Sequence, residues 1–216
     1  MLFGHIGIGL AAKRAAPKVS LGFLLAAATA LDTLFGVFFS LGIERVNGSI
    51  GWSHGLLMSA VWSIAAFAIV FLASRDFRAG IVIGLLVFSH WVLDFISHPM
   101  GMGRILPPDL PLLFDGSPKV GLGLYTSVAA ALVTDLGLLA GGIVLYMTGT
   151  KAKDRVGVWA FWLMIAFIAA FPALVFLPSG LEGLPCLAQL LLLPFGIWVD
   201  RHRSVRAVEP RHAVSV

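Results

Sequence analysis

Charge is scarce in this sequence. Asp, Glu, Lys and Arg make up 12% of its 216 residues, about half the share of roughly 25% typical of soluble domains. Long stretches carry no charge at all, which argues against a water-soluble fold. Cysteine is nearly absent too: Cys186 is alone, so no internal disulfide can form. The basic surplus is only +4 and is confined to loops, too little to point to nucleic acid. No internal repeat is visible. The N-terminal run does not read as a signal peptide, because Lys13 and Arg14 follow the apolar residues and His5 interrupts them.

What is present is apolar. Hydrophobic residues make up 59% of the chain, and the mean hydropathy is +0.96. Six segments are candidates to cross a bilayer, at residues 19–43, 55–73, 79–97, 122–147, 156–177 and 184–199. A span needs about 20 apolar residues; only the last is short, and Pro194 interrupts it. A membrane barrel would show short alternating segments instead. The predicted fold is all-α, a polytopic membrane helix bundle of about six spans. Residues 1–200 form a single integral domain, and residues 201–216 a polar, loosely ordered tail.

Six spans put Lys13, Arg14, Lys18, Arg75, Arg78, Lys151, Lys153, Arg155, Arg201, Arg203, Arg206 and Arg211 on one side, leaving Arg45, Arg104 and Lys119 on the other. Cytoplasmic loops are enriched in Lys and Arg, so both termini are expected at the cytoplasmic face of a prokaryotic inner membrane. The loop at residues 99–121 then lies outside. It holds five prolines and reads either as a lid or as a stiff surface connection.

The few ionisable residues within spans carry the functional signal, since each costs about 2.5–3.5 kcal/mol to insert and such residues usually face the bundle interior. In "FSHWVLDFISHP", His90 and Asp94 are four apart and share a helix face. The pair can bind a metal through imidazole nitrogen and carboxylate oxygen, or serve as an Asp orienting a His base. Asp32 lies halfway through the first span, at a similar depth, and His54 opens the second at the outer face. Glu44, in the loop before it, reads as a solvated charge. His5 sits on an apolar segment too short to span. If that segment dips inward as a half-helix, His5 lies ~12 Å deep by helix rise; if it lies flat, His5 is an interfacial residue. Asp135, deep in the fourth span, is a further ligand, a partner for a histidine N–H, or an acid bonded to neighbouring backbone. His98 falls at the outer end of the third span.

Together His5, "ALDT" at 30–33, "GWSHG" at 51–55 and "HWVLDFISHPMG" at 90–101 resemble the YdjM-like family of inner-membrane proteins. These are described as metal-dependent hydrolases, some of them LexA-regulated. The resemblance covers about residues 1–101. It implies His5, Asp32, His54, His90 and Asp94 as metal ligands. Two positions depart from the family pattern: Ala30 replaces the first Asp of its carboxylate pair, and Ser49 replaces the first His of its HRG motif. The His/Asp inventory is also loosely similar to that of zinc-dependent phospholipases C.

These readings converge on metal-assisted hydrolysis of a lipid or phosphoester reached from the membrane, with His98 and Asp135 as candidate acid or base. The N and O donors suit Zn²⁺ and also permit Mn²⁺ or Fe²⁺. The rival readings are a proton- or metal-ion permease using the same intramembrane residues, and a non-catalytic membrane partner.

Overall fold

The computed structural model describes residues 1–45, 50–101, 103–114, 116–176, 181 and 183–206. The all-α expectation holds: among the described residues, sheet is limited to two short two-stranded ribbons. Among the described residues, five helices are long and apolar enough to cross a membrane, or six if one bent pair counts as a span. That number suits a multi-pass membrane protein. Ile64, Ile69 and Val133 are each at least two-thirds exposed, and a continuous apolar surface of this kind is what lipid would cover.

The N-terminal segment is α1 (Leu2–Ala11), and it dips into the bundle rather than lying flat. His5, Ile6 and Leu10 are at most 2% exposed. Its first turn is anchored by Asp135, which accepts from the Gly4 N–H at 2.5 Å, one of the amides that a helix start leaves unpaired. Asp135 is therefore an acid bonded to neighbouring backbone.

The first span is not one helix. It breaks into α2 (Leu21–Ala28) and α3 (Ala30–Ser40), bent by 60° at Thr29. No proline marks the break. The Thr29 hydroxyl donates to the Leu25 carbonyl at 3.0 Å, a local bond that competes with helix continuation. The break puts Asp32 in the first turn of α3, where an acidic group is favoured by the helix dipole.

A single turn, α4 (Gly51–His54), leads into α5 (Leu56–Ser74), and α6 (Phe77–Ser97) returns beside it. In the following loop, β1 (Leu110–Pro111) pairs antiparallel with β2 (Lys119–Val120). This hairpin packs over α4, with Leu57 N–H donating to Leu112 O at 3.1 Å.

The fourth span, α7 (Val128–Gly149), starts six residues later than the hydropathy implies, because residues 124–126 form a 3₁₀ turn. The fifth is α8 (Arg155–Ala170), continued by 3₁₀ turns over Phe171–Phe176. The sixth comprises α9 (Gly183–Ala188) and α10 (Leu192–Arg201). Its irregular turn lies at Gln189–Leu191 rather than at Pro194, which sits in the first turn of α10, where a missing N–H costs little. The start of the tail is ordered: β4 (Arg203–Val205) pairs with β3 (Thr150–Ala152). Residues 207–216, the rest of the expected tail, lie outside the described residues, as does Ser49.

Two large packed centres hold the helices, with a smaller one at Met1, Tyr125 and Ala131. Ile6, Leu10, Leu21 and Leu25 meet Tyr146, Phe161, Met164 and Ile168 in one. Leu24 and Leu31 meet Ile83, Leu86, Val87 and Trp91 in the other. His90 and Asp94 project from the end of α6 beyond the second.

Candidate metal centre

Three helices and the single turn α4 bring the five predicted ligands together. His90 and Asp94 share the inner face of α6 and are at most 2% exposed. Asp32 comes from the start of α3, His54 from the end of α4 and His5 from α1.

Asp94 divides the cluster. Its Oδ2 lies 3.4 Å from His90 Nε2 and 3.6 Å from His54 Nε2. Its Oδ1 lies 3.2 Å from His5 Nε2 and accepts from the Met1 amino group at 3.0 Å. Asp32 Oδ1 repeats the first arrangement, 3.5 Å from both His54 Nε2 and His90 Nε2. The rings of His5 and His90 stack face to face, 3.6 Å apart and 3° from parallel. The donors fall into two sets that share His90: Asp32, His54 and His90, and His5, His90 and Asp94.

The histidine tautomers follow from their outer partners. His90 Nδ1 lies 2.9 Å from the Ala28 carbonyl. A carbonyl only accepts, so Nδ1 carries the proton. The break at Thr29 makes this possible, because Ala28 ends α2 and its carbonyl belongs to a turn that lacks intrahelical partners. In the neutral ring, Nε2 then presents a lone pair. It is buried and has no hydrogen-bond partner, yet it faces one oxygen of each carboxylate. Lone pairs facing one another at 3.4–3.5 Å repel unless a cation, either a proton on Nε2 or a metal ion, lies between them. Two atoms bound tetrahedrally at about 2.0–2.1 Å stand roughly 3.3–3.4 Å apart, close to the four Nε2–Oδ separations of 3.4–3.6 Å. The donor set therefore fits a divalent metal ion, and a buried His/Asp group able to hold one is present.

Outer contacts orient the ligands, as they do in metal sites generally. Ser53 Oγ lies 2.7 Å from His54 Nδ1. Gln189 donates to Asp32 Oδ2 at 2.9 Å. Gln189 is the one amide in the sixth span, and it carries the same cost-of-insertion signal that singled out Asp32.

Glu44 corrects the sequence reading. It is 1% exposed, not solvated, because α4 folds over it. Its Oε1 accepts from the Trp52 and Ser53 N–H groups at 2.8 and 2.9 Å. Glu44 thus caps the turn that presents His54. Glu44→Ala is expected to cost about 1 kcal/mol of stability, as a lost cap does, and Ser53→Ala to weaken metal affinity about 10–100-fold. Equilibrium dialysis against a metal buffer, with thermal unfolding of the same samples, checks both.

The two residues proposed as acid or base lie outside this cluster. His98 Nδ1 pairs with Asp109 Oδ1 at 2.8 Å, at the junction of α6 with the hairpin loop. Asp135 is engaged by α1, as described above.

Comparisons with family models, with curated proteins and with solved structures return no match to this chain.

Proposed function

We propose that this chain is a membrane-embedded, metal-dependent hydrolase acting on a lipid or phosphoester. The observation that carries the reading is His90 Nε2, buried without a hydrogen-bond partner between two carboxylates. Asp32, His54, His90 and Asp94 would hold the ion, with His5 joining through the second oxygen of Asp94; nitrogen and oxygen donors without thiolate suit Zn²⁺, and admit Mn²⁺ or Fe²⁺. A divalent ion there lowers the pKa of a water and polarises an ester or phosphoryl oxygen.

The protein's own residues supply access and exclusion of water. The side chains of His5, His54, His90 and Asp94 are at most 8% exposed, whereas Asp32 is 21% exposed, so the approach is on the Asp32 side. An apolar cleft of about 730 Å³ is lined by Phe23, Ala27, Ile69 and others, among them Ala30 and Val87. These lie two residues from Asp32 and three from His90. A cleft of this size and character accommodates the acyl part of a substrate entering from the bilayer. In this reading the basic loops face the cytoplasm of an inner membrane, and the cluster lies towards the outer face.

The 60° break in the first span favours a second reading, because discontinuous helices are the usual substrate sites of secondary transporters. Two assays on metal-loaded protein separate them. The hydrolase should release product from phospholipid or a generic phosphoester, stop with chelator and recover on adding Zn²⁺ or Mn²⁺. A metal-loaded protein that turns over none of these, yet carries metal or protons into liposomes, would be a permease.

A further inference from the structure

A second polar centre lies at the opposite end of the bundle, where α2 begins and α10 ends. A pocket of about 150 Å³ is lined there by Lys13, Thr150, Asp200, Arg203 and Val205 among others. One of its two buried cations is accounted for. Lys13 Nζ lies 2.6 Å from Asp200 Oδ2 and donates to Val19 O at 2.7 Å. Asp200 Oδ2 also accepts from Leu21 N–H at 2.7 Å.

Arg203 is different. It is 8% exposed, and no carboxylate lies within 4.0 Å of it among the described residues. Its Nε donates to Thr150 Oγ1 and one Nη to Gly157 O, both at 3.1 Å. The guanidinium lies 5.4 and 5.3 Å from the ring centres of Tyr146 and Phe161. Two of its five N–H donors are thus used, and the aromatic faces offset the charge only in part. A buried cation without a counter-charge is costly, and this one lines a pocket. The volume is about five times the ~30 Å³ share of one water, which suits a phosphate group and is too small for a nucleotide. A guanidinium fork is the donor geometry that oxyanions of this shape favour. Three further basic residues adjoin its lining: Lys18 follows Pro17, Lys151 pairs with Ser204 across the ribbon, and Arg206 Nε donates to Thr150 O; basic residues so grouped draw anionic headgroups.

We propose that this pocket binds a phosphate-class oxyanion through Arg203. The source is either an anionic lipid headgroup or free phosphate, and the site is independent of the His/Asp cluster. The test is thermal unfolding of the full chain in detergent. Inorganic phosphate is compared with chloride at equal ionic strength, and short-chain phosphatidylglycerol with phosphatidylcholine of the same chain length. Phosphate or phosphatidylglycerol should raise the unfolding temperature; a shift with both assigns the free ion as sufficient, and a shift with phosphatidylglycerol alone assigns the lipid. Arg203→Gln should weaken the apparent affinity about tenfold or more. Because that change also removes a structural contact, Val205→Glu serves beside it. Val205 is 41% exposed and shares its strand face with Arg203, so a glutamate there supplies the anion from within. It should raise stability in chloride and abolish the ligand-induced shift. No shift in the wild type, or an equal shift in both variants, overturns the proposal.

Discussion

His90→Ala is expected to leave the purified protein without its metal. His90 belongs to both donor sets, and its Nε2 is the atom that both carboxylates face. Structural zinc sites bind with about 10–16 kcal/mol. Shared over four ligands, that is roughly 2.5–4 kcal/mol each, or ~100–1,000-fold in affinity per ligand removed. Asp94→Ala should be worse, because it also strips His5 and the Met1 amino group of their shared oxygen. Leaving buried groups without their charged partner adds about 3–5 kcal/mol of instability. Asp94→Asn keeps the volume and separates loss of charge from loss of packing. His98→Ala is the control: His98 is tied to Asp109, so metal content should be unchanged. Elemental analysis of protein purified without chelator reads all four. The reading is abandoned if the wild type carries no stoichiometric metal, or if His90→Ala carries as much.

The same ligands show how far a single sequence reaches. His90 and Asp94 were legible because helix periodicity and the cost of charge in a bilayer act on them locally, whatever the rest of the chain does. Asp32 and His54 were legible one step further out, through the depth that the loop charges assign to each span. What escaped depends on contacts between distant segments. Nothing in "LLAAATALDT" announces a 60° break, for it has neither Pro nor Gly; the break becomes intelligible once His90 is seen to take the Ala28 carbonyl. Glu44 looks like any loop acid until α4 folds over it and uses its carboxylate as a cap. Asp135 carries the same insertion cost as Asp32, yet the cost is met by a backbone amide of α1. Composition alone cannot tell an acid that holds a helix from one that holds an ion. His5 was the hardest case, since its depth depends on how α1 docks, and that is decided by two glycines far apart in sequence.

Gly142→Val is expected to lower the metal content without touching a ligand. Along the contact of α1 with α7, Gly7 and Gly142 lie backbone against backbone. A Cβ on Gly142 would run into the Gly7 carbonyl, and one on Gly7 into the Leu138 carbonyl. Neither obstacle is a flexible side chain that could turn away, so the helices must separate. Small residues at membrane helix contacts permit this kind of approach. Overpacking costs about 1–3 kcal/mol where side chains can adjust, and a backbone clash belongs at the upper end or beyond. As α1 moves out, His5 leaves its stack on His90, and the Gly4 amide leaves Asp135. Gly142→Ala should show the same effect in milder form. Gly137→Ala, on the open face of α7 where an added Cβ meets nothing, should show none. The comparison is metal content together with unfolding temperature for the three variants. If Gly142→Val retains full metal, α1 is not what completes the site, and His5 then lies outside the working shell.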